Sequence, residues 1–313
     1  MAFMQVAASA PIGAALALTR EIQRLAEKAS VEINVADSKH LQASRQWLRP
    51  GTRVFVSYLP NQTWEQSRQA SLAACAAGFE PVPHIPARLV PSQAHLERIL
   101  GELAGVGVQE VLLIAGDYPE ATGPYSDVSE VLKTGLLGKH GFRRVSLAGH
   151  PEGHSKVALP VIRQAERDKV SLAQSLGLET SLVTQFFFEA QPFIDWAESL
   201  RQQGVSARVV GGLAGPASIA ALFRFAMRCG VGPSIRALGA KPTSMMKLLG
   251  DHGPELVIRD LVEAQADDGL DFNGVHFFCF GGFLRACRWI NAVAAGKFAL
   301  TQNGGFMVTE KCG

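Results

Sequence analysis

The sequence predicts a (βα)8 TIM barrel, an α/β fold built as a single domain, and three observations point to it. Short β-branched or aromatic runs recur about eight times, each followed by a stretch with helical spacing, which is the pattern of β/α units around a parallel sheet. The chain is 313 residues long, enough for one such barrel, and no linker or low-complexity segment divides it. The Gly-rich fingerprint of the competing doubly wound sheet is missing after the first strand, where Val31-Glu32-Ile33-Asn34-Val35 runs into Ala36-Asp37-Ser38.

Residues 1–29 form an N-terminal segment with an amphipathic helix over 14–28. Its first basic residue, Arg20, follows the uncharged stretch instead of preceding it, which is the wrong order for a secretory signal. Pro11-Ile12-Gly13 breaks the same stretch as a membrane span. Strands are predicted at 31–35, 53–58, 81–85, 110–115, 144–148, 182–187, 207–211 and 275–280. Helices fit at 64–77, 92–103, 126–137, 161–176, 192–203, 218–229, 254–266 and 283–294, with a short tail over 297–313. Gly211-Gly212-Leu213-Ala214-Gly215 follows the seventh predicted strand, either as a phosphate-holding loop or as a tight turn into the next helix.

Lys plus Arg number 30 against 28 for Asp plus Glu, and no basic run exceeds Arg143-Arg144, so no electrostatic footprint for nucleic acid is present. A small-molecule partner is expected. The cysteines Cys75, Cys229, Cys279, Cys287 and Cys312 are odd in number, scattered and without a C-x-x-C pair, which points to the reducing cytoplasm and away from structural zinc.

A barrel builds its active site from the carboxyl ends of its strands and the loops beyond them. Glu32 alternates with Val31 and Ile33, so it faces the barrel mouth; in partly dry surroundings a carboxyl holds its proton and can act as a general acid, the other reading being an ion pair with a barrel Lys or Arg. His84 lies near the end of the third strand. Asp117 follows Gly116 at the end of an apolar run, where it can meet a ligand or merely cap a turn. His150-Pro151-Glu152-Gly153-His154 has the two histidines of a zinc motif, but Pro151 and Gly153 make it a loop, so no metal is expected and the rings are read as cofactor contacts. In Thr184-Gln185-Phe186-Phe187-Phe188-Glu189, Phe186 and Phe188 are predicted to pack outward against helices, leaving the Gln185 amide at the mouth to read a heterocycle edge. No strand end supplies a lysine for Schiff-base chemistry.

Together these residues resemble the methylenetetrahydrofolate reductase family. The resemblance rests on Val54-Phe55-Val56-Ser57, Pro83-His84, Gly116-Asp117 with Pro119, Ala148 with Pro151-Glu152 and His154, Thr184 to Glu189, Gly212 with the helix holding Phe225, and His276-Phe277-Phe278. It implies a flavin-dependent barrel, without the family's regulatory domain, that interconverts 5,10-methylenetetrahydrofolate and 5-methyltetrahydrofolate. FAD would be the cofactor, NADH or NADPH the electron partner, and tetrahydrofolate derivatives the substrates of a cytoplasmic homo-oligomer.

By the same resemblance Glu32 is the general acid, and Asp117 contacts pterin and tunes flavin beside Gly116. Gln185 binds pterin, Phe225 packs on folate or nicotinamide, and His84, His150 and His154 belong to the flavin site. Several positions depart from the family. Ala115 stands for an arginine, His150 for a tyrosine, Gln174 for the diphosphate-binding lysine, Ala221 for a folate-side glutamine, and Gly282 for an arginine. Ile33-Asn34-Val35 also replaces the family's phenylalanine- and proline-rich surroundings of the acid. Arg88 and Lys169 are the candidates to replace the missing charge, and FAD is expected to be held weakly. A pterin-binding methyltransferase without flavin, or a noncatalytic folate or flavin binder, is the alternative on the same barrel.

Overall fold

The computed structural model describes residues 12–116, 118–154, 157–229, 251–267 and 272–310. Eight parallel strands close into a barrel: β1 (Ser30–Ile33), β2 (Arg53–Val56), β3 (Glu80–Pro86), β4 (Glu110–Ile114), β5 (Arg144–Gly149), β6 (Glu179–Phe187), β7 (Arg208–Ala214) and β10 (Gly274–Phe278). The predicted TIM barrel is therefore the observed fold. Between β7 and β10 lies a small antiparallel pair, β8 (Ala217–Ser218) and β9 (Asp251–His252), which the sequence pattern did not predict.

The helices are α1 (Ile12–Glu27), α2 (Leu41–Ser44), α3 (Trp64–Ala76), α4 (Gln93–Gly105), α5 (Val128–Lys133), α6 (Leu136–Lys139), α7 (Leu159–Ser175), α8 (Gln191–Gln202), α9 (Ile219–Cys229), α10 (Glu255–Asp267) and α11 (Phe283–Ala294). Caps start several of them where the sequence offers an acceptor: the Thr63 and Ser92 hydroxyls and the Asp127 carboxylate each accept backbone N–H groups of the first turn. The helix predicted over 126–137 is two short ones. Gly135 sits at φ 68°, a left-handed conformation that ends one helix and starts the next.

Two expectations change. The stretch from Lys297 is not a loose tail: β11 (Phe298–Leu300) pairs antiparallel with β12 (Phe306–Val308), and Phe306 is buried against the Trp289 ring of α11. Gly211 and Gly212 of the Gly-rich segment lie inside β7, and only Gly215 follows the strand, so the segment is mostly strand and not a loop. A Cβ on Gly212 would stand 2.4 Å from the Thr184 carbonyl oxygen, so the missing side chain is what lets β6 and β7 approach.

Side-chain alternation divides the strands cleanly. Val54, Val56, Ile85, Leu113, Leu147, Leu182, Leu213 and Phe277 join the main core, which packs the helices around the barrel. Phe55, Val82, Leu112, Val183 and Val210 fill a separate layer inside the barrel. Two residues before that layer, at the amino ends of the strands, an ionic floor forms around the buried Glu110, which accepts from Ser146 Oγ at 2.7 Å and lies 3.7 Å from Arg53, while Arg144 reaches the exposed Glu80 at 3.0 Å. Two residues after it, toward the carboxyl ends, stand His84 and His276.

Candidate active site in the barrel mouth

Glu32 is the penultimate residue of β1, and its strand stops because Asn34 begins a 3-10 turn, Val35–His40. Asn34 Oδ1 accepts from Ala36 N at 2.8 Å and Asp37 N at 3.2 Å, while Asp37 Oδ2 accepts from Asn34 N at 3.1 Å. This reciprocal cap fixes the backbone directly beyond Glu32. Among the described residues Glu32 is not paired with a lysine or arginine, as one reading of the sequence had it. Its Oε2 lies 3.5 Å from His84 Nε2 on β3 and 3.6 Å from His276 Nε2 on β10, with its side chain 20% exposed.

The two imidazoles flank the acid over the Phe55 ring, whose centroid is 4.5 Å from that of His276 and 6.2 Å from that of His84. His84 is buried and its Nε2 completes no hydrogen bond. Burial holds this imidazole below its usual range, with nearby Glu32 pulling the other way, so the ring stays neutral. Sequence reading assigned His84 to the flavin; in the structure its Nε2 lies 3.5 Å from Glu32 Oε2. His276 and Phe55 were not named as site residues. Alternation alone could have found His276, because it shares a face with Phe278 and opposes Phe277.

A second group forms where β6, β7 and β10 end. Phe186 is buried against Phe188, Phe278 and Phe280, and Phe225 from α9 stacks on Phe280 at 4.0 Å. Here the expected outward packing of Phe186 is overturned. The β6–β7 register shifts between Val183 and Phe186, and this bulge inserts one residue into the alternation, so Phe186 turns inward while Phe187 turns outward and stacks on Phe193. Gln185 belongs to the bulge: it is exposed, and its own Oε1 accepts from Phe186 N at 3.1 Å, which leaves the amide NH2 to meet a ligand.

The β4–α5 loop is shaped by Arg88. Its guanidinium donates to the carbonyls of Ser126 at 2.9 Å, Tyr118 at 2.8 Å and Gly116 at 3.3 Å. Arg88 therefore organises the loop that carries Asp117, and its charge is spent on carbonyl oxygens. Asp117 itself lies outside the described residues. Beside it Gly116 sits at φ 91°, a conformation open to glycine, with the Pro86 side chain 3.2 Å from where a Cβ would be.

The β5–α7 loop is held by Glu166, whose side chain is fully buried. It accepts from the His150 backbone N–H at 2.8 Å and from Trp196 Nε1 at 3.0 Å, and pairs with Arg163 at 3.0 Å. The rings of His150 and His154 meet edge to face at 6.3 Å, and Gly153, at φ 80°, keeps the segment a loop. Gln174 is not at the mouth. It lies in the last turn of α7 and donates to the Ser206 carbonyl at 3.1 Å, just before β7, at the opposite end of the barrel. Because α7 descends from the mouth, a residue so late on it cannot reach a ligand there. Lys169, more than a turn earlier, is the better placed cation.

Among the described residues no helix is long and apolar enough to cross a membrane. Several solved structures are similar in fold. A conserved protein of unknown function from Enterococcus faecalis is 11% identical over 88% of this chain and 69% of its own, with a TM-score of 0.46. The dihydropteroate synthase of Thermus thermophilus is 13% identical over 86% of this chain and 94% of its own, at 0.45. A ligand-free tryptophan synthase from M. tuberculosis is 12% identical over 89% and 96%, at 0.44. Residues 53–235 match the family described as Methylenetetrahydrofolate reductase, a span that runs from β2 past α9 and contains His84, Asp117, His150, His154, Gln185 and Phe225. With more than half its length matched, the chain belongs to the methylenetetrahydrofolate reductase family.

Proposed function

We propose that this barrel is a folate oxidoreductase that interconverts 5,10-methylenetetrahydrofolate and 5-methyltetrahydrofolate, with Glu32 as the general acid. The observation that carries this reading is the setting of Glu32. It is a carboxyl at the mouth of the barrel, 3.5 Å from the buried His84 and 3.6 Å from the buried His276, with no lysine or arginine paired to it among the described residues. Such a group can keep a proton and hand it to a ring nitrogen of the bound folate, opening the imidazolidine ring to an iminium carbon. The exposed NH2 of Gln185 and the carboxylate expected at Asp117 offer a donor and an acceptor to the pterin edge. Phe225, stacked on Phe280, presents an apolar wall to folate or nicotinamide.

Flavin is the cofactor proposed, as FAD. The fit rests on Lys169, which burial pushes below the usual range of an ammonium while Glu166 and Asp127 pull it back. No hydrogen bond or ion pair engages it among the described residues. Side chains on a helix lean toward its amino end, and the amino end of α7 is at the mouth, so Lys169 can extend back toward a diphosphate below the His150 loop. His150 and His154 would border the ring system. When bound, the flavin supplies hydride exchange between nicotinamide, as NADH or NADPH, and folate. The residues of this chain orient the folate, exclude water and hold the proton at Glu32 Oε2. Cys75, Cys279 and Cys287 are free thiols, in keeping with a reducing cytoplasm.

The experiment is a spectrum of the purified protein with and without added FAD, followed by bleaching with NADH or NADPH and with 5-methyltetrahydrofolate. Bleaching by both partners is expected. Folate binding with no flavin spectrum under any condition would favour a methyltransferase and overturn the oxidoreductase reading.

A further inference from the structure

We propose that the floor end of the barrel carries a second ligand site, a cavity between α1, α11 and the segment joining α2 to β2, and that it takes an uncharged, amino-substituted planar heterocycle such as adenine. The cavity measures about 150 Å³, a volume that accepts a benzene-sized guest. Its place follows from the chain. Ala29 and Thr52 immediately precede β1 and β2, and Ala294 ends α11 after that helix has descended from the mouth. The cavity therefore lies at the opposite end of the barrel from the folate site, and the proposal does not depend on the reading given to that site.

The lining decides the chemistry. Buried Ala26, Ala29, Leu48 and Ile290 give it apolar walls. Trp47 adds a flat surface that is already held in place, because the Arg288 guanidinium, which does not line the cavity, stands 4.9 Å from the centroid of its ring. Asn291 of α11 brings a side-chain amide that makes no hydrogen bond among the described residues, and so offers one acceptor and a donor group. Thr52 Oγ1 gives its hydrogen to the Arg49 carbonyl at 2.8 Å and keeps its lone pairs to accept. Glu27 Oε1 pairs with Arg49 at 2.7 Å, which leaves Oε2 to accept and cancels the charge of the guanidinium. A flat ring with an amino group beside a ring nitrogen suits this set. A carboxamide meets the 6-amino group and N7 of adenine with one acceptor and one donor, while the ring lies against the indole and the small apolar side chains. The cancelled charge gives a phosphate no net cation to bind.

The test is a titration with adenine, followed by NMR at the Trp47 indole N–H, whose signal is identified by its loss in Trp47→Phe. Saturable binding with a Kd of roughly 0.1 to 1 mM is expected for so small a ring. Purine, which lacks the amino group, should bind about tenfold more weakly, and so should adenine to Asn291→Leu. Ala294→Leu, which fills the cavity from the end of α11, should abolish binding, whereas Lys169→Ala, on α7, should leave it unchanged. Adenosine should match adenine with its sugar in solvent, and AMP should bind no more tightly. A Trp47 signal that stays in place at several millimolar adenine would overturn the proposal. Equal affinity in the parent, Asn291→Leu and Ala294→Leu would place adenine elsewhere on the protein and overturn it too, and AMP tenfold tighter than adenine would overturn the assignment to an uncharged ring.

Discussion

Trp196 on α8 donates its indole N–H to Glu166 on α7 at 3.0 Å, and Glu166 in turn accepts the backbone N–H of His150 at 2.8 Å. One buried carboxylate thus joins two helices to the loop that rims the mouth. Gly149 makes room for this: a Cβ there would lie 2.6 Å from the indole ring. Burial pushes the Glu166 carboxyl up, but hydrogen bonds from His150 and Trp196 and the charge of Arg163 outweigh it, so the group ends below its ordinary 4.5. A carboxyl lowered by folding stabilises the fold above its unfolded value and loses that contribution as pH falls through the folded one. Glu166→Gln should cost about 3 kcal/mol near neutrality, since it leaves Arg163 and the loop without their charge partner. Below about pH 4.5 the variant should lose stability less steeply than the parent. Urea midpoints measured across that range check both, and parallel curves would exclude Glu166 as the titrating group.

For Glu32→Gln, the amide keeps the volume of the acid but has no acidic proton. The fold and the nicotinamide-to-flavin half-reaction should persist, while the folate half-reaction falls by about 100- to 10,000-fold. Rapid-mixing kinetics separates the halves. Equal loss in both would make Glu32 a structural residue.

Gln185→Ala removes the NH2 group offered to the pterin and also the local bond to Phe186 N. Leaving a pterin acceptor unpaired costs about 1 to 3 kcal/mol, so folate affinity should drop roughly ten- to hundredfold. Calorimetry with 5-methyltetrahydrofolate measures it, and an unchanged constant removes Gln185 from the site.

The proposed FAD site divides Lys169 from Gln174. Lys169→Ala should weaken FAD by tenfold or more, whereas Gln174→Ala, at the far end of α7, should leave it unchanged. Arg88→Ala should also weaken FAD, through disorder in the loop that the guanidinium holds. With Ala115 supplying no charge, the protein should purify partly or wholly as apoprotein. Retention of stoichiometric FAD through long dialysis would show that the missing charge does not matter.

Gly212→Ala is expected to be among the most damaging single changes in the barrel. Its Cβ would meet backbone oxygen, 2.4 Å from Thr184 O and 2.7 Å from Gln185 O, where no side-chain rotation can relieve the contact. The amide of Gly212 also donates to Thr184 Oγ1 at 2.8 Å, so a shift of β7 breaks the bond that seats the bulge. A loss of about 1 to 3 kcal/mol or more is expected, read by thermal unfolding. A variant as stable as its parent would mean that the bulge yields easily.

Alternation of apolar and polar residues in short runs, with helical spacing between them, was enough to determine the barrel, because strand and helix periods are local properties of the chain. The same local alternation placed Glu32 on an inner face, and the motif strings around His84, Gly116 and Gln185 carried the family. Partners were another matter. That Glu32 faces imidazoles and not a lysine depends on which strands become neighbours when β1 closes against β10, residues more than two hundred positions apart. The inward turn of Phe186 depends on one extra residue in β6, which a strict period of two cannot reveal. Gln174 and Lys169 sit on the same helix and differ only in height along it, a distance that has no meaning until α7 has an end at the mouth and an end at the floor. Sequence determines which face a side chain takes, since that follows from bonds along the chain; tertiary structure decides what it meets, since that follows from closing the sheet.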